Sequence, residues 1–123
     1  MKYTLRMKNN RFFKYVLRKG KFSAQKHLVV HVSHIKGRNE CNFFAVCVSK
    51  KNGNSVQRNK LKRWAREAYK LQEPQIKLGY NMIILFKKTT KFEDINFQIV
   101  YDEIKKCFSD LEIDESLAYY LYS

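Results

Sequence analysis

The chain has 123 residues, of which 45% are hydrophobic and 15% aromatic, so it can build one core and is not expected to be disordered. Its net charge of +14 is unevenly placed: residues 1–92 hold 23 basic and 3 acidic residues, and residues 93–123 have a net charge of −6. Such a basic body indicates a surface for a polyanion more than a general aid to solubility.

The predicted elements follow the order helix, strand, strand, helix, strand, helix. Asn9 or Asn10 can cap a first helix that ends near Arg18, because Gly20 suits a C-terminal stop. Runs rich in Val, Phe and Ile predict the strands His27–Val32, Asn42–Ser49 and Asn81–Lys87. A further short strand is expected near Phe22.

Three further segments are predicted to be helical. A second helix runs from Ser55 or Val56 to Gln72, before Pro74, and another covers about Phe97–Leu111. A short terminal helix is expected near Glu115–Leu121, within a C-terminal extension (112–123) of unknown role. The order predicts an α/β (α+β) two-layer sandwich, a small sheet covered by helices, as a single domain over 1–123.

The cysteines and the apolar runs exclude several classes of protein. Cys41, Cys47 and Cys107 are odd in number and form no Cys-x-x-Cys pair, so neither a disulfide framework nor a zinc site is expected. The N-terminus lacks an apolar stretch of signal-peptide type, and Phe43–Val48 and Met82–Phe86 are too short to span a bilayer. These features predict a cytoplasmic protein without membrane contact.

The second helix has two faces of opposite character. At 100° per residue, an arc of about 120° holds the apolar residues Leu61, Trp64, Ala65, Ala68 and Leu71. The opposite face holds Asn59, Lys62, Arg63, Arg66 and Lys70, with Arg58 and Lys60 at the borders. Like charges at this spacing repel by a few tenths of a kcal/mol per pair, which phosphate counter-charges would relieve. A nucleic-acid surface is therefore favoured over a solvated face, and composition alone does not separate RNA from DNA.

The segment Val48–Glu67 carries a more specific pattern. It contains Val-Ser-Lys-Lys, a glycine turn at Gly53, Arg-Asn-Lys, and then Lys-Arg and a further Arg along the helix. This pattern resembles the signature of the bacterial ribonuclease P protein subunit, and the resemblance in layout covers about residues 5–110. Ser55 replaces the usual Ala, and Lys60 replaces the second Arg of Arg-Asn-Arg, which keeps the charge but loses the planar fork.

The resemblance implies a subunit that assists a catalytic RNA, with no catalytic residue and no metal site in the protein. The ribonuclease P RNA, with Mg²⁺ bound mainly by RNA and substrate, would remove the 5′ leader from precursor tRNA. The protein would bind both RNAs and would need no obligate protein partner. The family's fold also joins two strands through the second helix in a left-handed sense, an exception to the usual hand.

The resemblance also implies two sets of binding residues. The set that would bind the catalytic RNA comprises Lys50, Lys51, Arg58, Asn59, Lys60, Lys62, Arg63 and Arg66. The leader cleft, between the first helix and the sheet, would be lined by Phe13, Leu17 and His31. Leu17 and His31 stand where aromatic residues are common, so weaker stacking is expected there. From its pattern alone, Phe13 fits a core position better than a stacking role.

Alternative interpretations remain for some residues and for the whole chain. His27 and His31 share a strand face, but no third ligand is suitably spaced for a metal, and Trp64 fits packing better than base stacking. The acids Asp102, Glu103, Asp110 and Glu112 fit a solvated helix face. For the whole chain, the alternatives are a toxin-like small protein ribonuclease and a structural ribosomal RNA-binding protein.

Overall fold

The computed structural model describes residues 4–7, 10–35 and 41–113. Within these ranges, five strands form one sheet: β1 (Thr4–Arg6), β2 (Lys21–Ala24), β3 (Leu28–His34), β4 (Asn42–Cys47) and β5 (Tyr80–Phe86). The helices are α1 (Asn10–Lys19), α2 (Ser55–Gln72) and α3 (Phe97–Asp110). Short 3₁₀ helices lie at Lys50–Asn52, Glu73–Gln75 and Phe92–Asp94.

The sheet is mixed, with the strand order β1-β4-β5-β3-β2. The β2–β3 and β3–β5 pairs are antiparallel, and the β1–β4 and β4–β5 pairs are parallel. Two adjacent parallel strands need a crossover between them, and α2 lies in the connection from β4 to β5. The left-handed sense of this crossover stays a prediction.

One face of the sheet packs against α2 and α3 and forms the main core. Alternate residues of β3 (Leu28, Val30 and Val32) point into this core, as the period of two in a strand requires. Phe44 of β4 stacks on Tyr69 of α2 with ring centroids 4.4 Å apart. These two layers are the predicted sandwich of helices on a sheet.

The opposite face of the sheet is partly covered by α1. The register pairs His31 with Ile83, and Ile83 with Ala45, on this second face. Val16 of α1 and Ile83 are both fully buried, and α1 packs against β3 and β5. A Cβ atom on Gly20 would collide with the carbonyl oxygens of Val16 and Val32, so only glycine lets the helix end approach β3 so closely.

A buried polar network fastens β1 to α2. The Thr4 hydroxyl donates to Glu73, and the Tyr69 hydroxyl lies 2.6 Å from the same Thr4 oxygen. Asn42 Nδ2 donates to the Tyr69 oxygen at 3.2 Å. Burial raises the pKa of Tyr69, so its hydroxyl stays protonated at neutral pH and can donate. The network fixes β1 at the edge of the sheet.

The six predicted elements are confirmed in their predicted order, as is the short strand at Phe22. Strand β1 was not predicted, because three residues give no readable alternation. The placement of Leu71 in the apolar stripe was wrong: its side chain is 65% exposed, and Tyr69 is buried in its stead. The buried stripe on α2 is rotated from its predicted position because the Tyr69 ring packs against Phe44 and Phe108 in the core. The predicted cap Asn9 and the terminal helix near Glu115–Leu121 lie outside the described residues.

Candidate nucleic-acid interface

Lys50 and Lys51 stand on a short turn that is anchored from inside the protein. Asn52, only 1% exposed, accepts a hydrogen bond from the Ser49 N–H at 2.9 Å. Its Nδ2 donates to the carbonyl oxygens of Lys87 and Thr90, both at 2.8 Å. Both lysine side chains are exposed on this rigid support. The hydrogen bonds of Asn52 therefore hold the turn in place, and the two positive charges are presented to solvent from it.

The start of α2 is fixed by a glycine and a capping box. Gly53 has φ +147°, and a Cβ atom there would come within 2.5 Å of Gln57 Oε1. The Gln57 N–H donates to Asn54 Oδ1 at 2.9 Å, and the Asn54 N–H donates to Gln57 Oε1 at 3.0 Å. This reciprocal pair satisfies two backbone donors at the helix end and sets the direction in which α2 leaves the lysine turn.

Replacing Asn52 by alanine should destabilise the protein. The change leaves the Ser49 N–H and the Thr90 carbonyl without the partner that Asn52 supplies, at about 1–3 kcal/mol for each buried group that water does not reach, while the Lys87 carbonyl still accepts from the Thr90 N–H. Urea unfolding measures the loss. Asn59→Ala, at an exposed asparagine of α2, is the control and should change stability by about 0.5 kcal/mol or less. Equal effects of the two changes would contradict the anchoring role of Asn52.

The predicted cationic face of α2 is largely open. Asn59, Lys60, Arg63 and Arg66 are exposed, and Arg58 and Lys62 are half-buried. Arg58 Nε is enclosed and has no hydrogen-bond partner among the described residues.

Lys60 lies beside two aromatic rings at the border of this face. Its Nζ lies 5.6 Å from the Trp64 ring centroid and 5.8 Å from that of Phe92. The two rings stack at 5.5 Å with 13° between their planes. Trp64 also packs against the core, which confirms its packing role. The cation–π contacts hold Lys60 at the border of the face, away from its centre.

A cleft of about 420 Å³ opens where β1 ends and β4 continues. On the β1 side of β4, the last backbone bond runs from the Met7 N–H to the Phe44 carbonyl. From Ala45 onward, no strand of the described residues lies on that side of β4. Phe13 of α1 lines one wall of the cleft. The cationic side chains that line it are Arg6, Lys62 and Arg66, and no acidic side chain of the described residues does so.

The structure thus brings together residues that are far apart in the sequence. Phe13 was predicted for the leader cleft and Lys62 and Arg66 for the catalytic-RNA face, yet all three line one cavity. Arg6 was missed, because its position depends on the unpredicted strand β1. Cys47 lies in the same cleft, where burial raises the pKa of its thiol and the positive charge of Lys62 partly opposes the shift.

Leu17 and His31 lie on the same side of the sheet as α1. Leu17 is half-buried one turn after Phe13, on the helix that packs against β3. Burial lowers the pKa of His31, so the ring is neutral at physiological pH. Its Nδ1 is enclosed without a hydrogen-bond partner in the described part of the chain. The ring centroid lies 5.7 Å from that of Phe22, a residue that sequence reasoning did not assign to the site.

His27 binds Glu103 of α3 and does not form a common site with His31. Its ring Nδ1 lies 2.5 Å from Glu103 Oε2, and its backbone N–H donates to Glu103 Oε1 at 2.8 Å. The expectation that Glu103 is solvated was wrong: it is 8% exposed, because it anchors the start of β3. In the ranges 4–7, 10–35 and 41–113, no group of three or more His, Cys, Asp or Glu residues could hold a metal ion.

Comparisons with known proteins agree with this fold. Residues 1–112 match the family model Ribonuclease P. The chain is 34% identical over 118 residues to the ribonuclease P protein component of Oceanobacillus iheyensis, covering 95% of this chain and 91% of the relative. It is 37% identical over 90 residues to that of Clostridium botulinum (strain 657), covering 72% and 79%.

Solved structures give the same result. The Staphylococcus aureus RNase P protein superposes with a TM-score of 0.74 at 26% identity, covering 89% of this chain and 96% of that one. The Thermotoga maritima RNase P protein gives 0.71 at 25% identity, covering 83% and 93%.

The fold is thus that of a small mixed α/β protein of the ribonuclease P type. The chain belongs to the ribonuclease P protein component family. Among the helices of the described residues, none combines the length and apolar character that crossing a bilayer requires.

Proposed function

We propose that this protein is the subunit of a ribonuclease P ribonucleoprotein that binds both the catalytic RNA and the 5′ leader of precursor tRNA. The observation that carries the proposal is the shared cleft, which Phe13, Lys62 and Arg66 all line. An aromatic ring offers a stacking surface to a base, and cations beside it hold the adjoining phosphates. The cleft therefore suits single-stranded RNA of any sequence.

The exposed part of α2 is proposed to bind the catalytic RNA. Arg63 and Arg66 are exposed, and Lys50 and Lys51 extend the cationic surface from the anchored turn. Arginine forks suit phosphate oxygens, and lysines add mobile point charges. Because Lys62 and Arg66 also line the cleft, they stand where the two RNAs would approach each other. Their charges would reduce the repulsion between the two phosphate backbones.

The role of this chain in the reaction is proposed to be binding and orientation. Mg²⁺, held mainly by the catalytic RNA and the substrate, would activate water and stabilise the leaving oxygen. The cleft residues would hold the leader extended from the tRNA, so that the scissile phosphate lies at a fixed place. We place the particle in the cytoplasm, where it would need no obligate protein partner.

Comparing substrates with and without a leader tests this function. The RNA subunit would be assembled with and without the protein, and its affinity measured for a leader-bearing precursor and for mature tRNA. We expect the protein to raise the affinity for the precursor by about tenfold or more, as one stacked base and its phosphates provide. The gain for mature tRNA should be much smaller. Equal gains for both substrates would contradict leader binding.

A further inference from the structure

Phe22 is an aromatic side chain that is mostly exposed and, among the described residues, stacks only on His31. It lies on the edge strand β2 and is 64% exposed, although a phenylalanine ring gains stability from burial. The alternation of β2 directs Ser23 to the other face, where its hydroxyl donates to Asp110 of α3 at 3.0 Å. Phe22 therefore projects from the face that carries α1, away from α3.

The sheet register places Phe22 in line with the cleft. Phe22 pairs with His31, His31 with Ile83, and Ile83 with Ala45, which lines the cleft. Three strand spacings separate Phe22 from Ala45, a distance of about 14 Å. Because α1 buries Ile83 between the two positions, a single strand of a few nucleotides that starts in the cleft would pass beside α1 to reach this edge of the sheet.

The local charge identifies the kind of partner that would cover the ring. The segment from Arg18 to His27 contains four basic residues and no acidic one. Phe22 also contacts the His31 ring at a tilt of 36°, so the pair offers an aromatic surface beside positive charge. Aromatic rings next to cations suit nucleobases followed by phosphates.

We propose that Phe22, supported by His31, is a second base-stacking position for the single-stranded leader, at the β2 edge of the sheet. The proposal rests on the proposed function and extends its binding surface beyond Phe13. Phe22 supplies an aromatic ring on the same face of the sheet as Leu17, whose side chain is aliphatic. Stacking of this kind tolerates every base, because each has a π-face.

Tyr15 offers a matched control for Phe22. It is a second exposed aromatic residue, 50% exposed, and lies on the side of α1 opposite Phe13. Phe22→Ala, Phe22→Leu, Phe22→Trp and Tyr15→Ala would each be assembled with the RNA subunit. Fluorescence anisotropy would then give the affinity for a leader-bearing precursor and for mature tRNA.

We expect Phe22→Ala and Phe22→Leu to weaken precursor binding by about fivefold or more, as loss of one stacked base predicts. Phe22→Trp should bind within about twofold of wild type, because it keeps an aromatic surface. Tyr15→Ala should leave both affinities unchanged. Because Phe22→Leu retains the apolar side chain, a fold defect in Phe22→Ala would not obscure the result.

Failure of this inference can be told from failure of the proposed function. If the wild-type protein does not distinguish precursor from mature tRNA, the proposed function fails. If the wild-type protein distinguishes them and Phe22→Leu behaves as Tyr15→Ala does, the stacking role of Phe22 is overturned. A loss that is equal for precursor and mature tRNA would also overturn it, because the ring would then contact another RNA or a protein partner.

Discussion

Replacing Lys62 and Arg66 together by glutamine should weaken binding to the ribonuclease P RNA and flatten its salt dependence. Each phosphate neutralised contributes about 0.7–0.9 to the slope of log affinity against log salt, so removing two charges should lower the slope by about 1.4–1.8. At about 0.1 M salt the affinity should fall on the order of tenfold or more. Filter binding over a range of salt concentrations measures both quantities.

A double variant on α3 is the control for this experiment. Lys105→Gln with Lys106→Gln removes the same total charge from exposed positions outside α2 and the cleft. It should leave the slope nearly unchanged, because these lysines adjoin the acidic part of the chain. If both double variants flatten the slope equally, total charge and not the α2 surface governs binding. A wild-type slope near zero would refute the electrostatic argument altogether.

Replacing Phe13 by leucine should selectively weaken binding of the leader. If the ring stacks on a base, its loss should reduce precursor affinity by about 1–3 kcal/mol, which is roughly five- to 150-fold. Leucine retains apolar packing at this half-buried position, so the fold should be kept. The measurement is the affinity of the assembled particle for precursor and for mature tRNA.

Thermal unfolding of the Phe13 variant separates binding from stability. An unfolding temperature near that of wild type, together with a loss confined to the precursor, would support a stacking role. A loss of equal size for both substrates, with a lowered unfolding temperature, would show that Phe13 acts as a core residue. Its pattern in the sequence left both roles open.

The local patterns of the chain were sufficient for most of the secondary structure. The period of 3.6 residues, with Gly20 after the first helix and Pro74 after the second, predicts two of the helices, and a run rich in Val predicts strand β3. The error at Leu71 arises from tertiary packing. Tyr69 stacks on Phe44 in the core, and α2 is oriented so that Tyr69 and not Leu71 is buried.

The candidate site depended on long-range pairing that local patterns do not encode. Arg6 reaches the cleft because β1 pairs with β4 and because Tyr69 and Glu73, more than 60 residues away, hold Thr4. The contact between Phe22 and His31 follows from the β2–β3 register, which one residue of slip would abolish. The basic residues of α2 were predictable because they lie within one helix.

Cleavage of a leader-bearing precursor tRNA by a bacterial ribonuclease P RNA at low Mg²⁺, with and without this protein, tests the central claim most directly. We expect cleavage at the 5′ end of the mature tRNA only when both components are present. Cleavage by the protein alone would contradict the claim in favour of a small protein ribonuclease. If the protein neither cleaves the precursor alone nor stimulates cleavage by the RNA, the claim would be contradicted in favour of a structural RNA-binding protein.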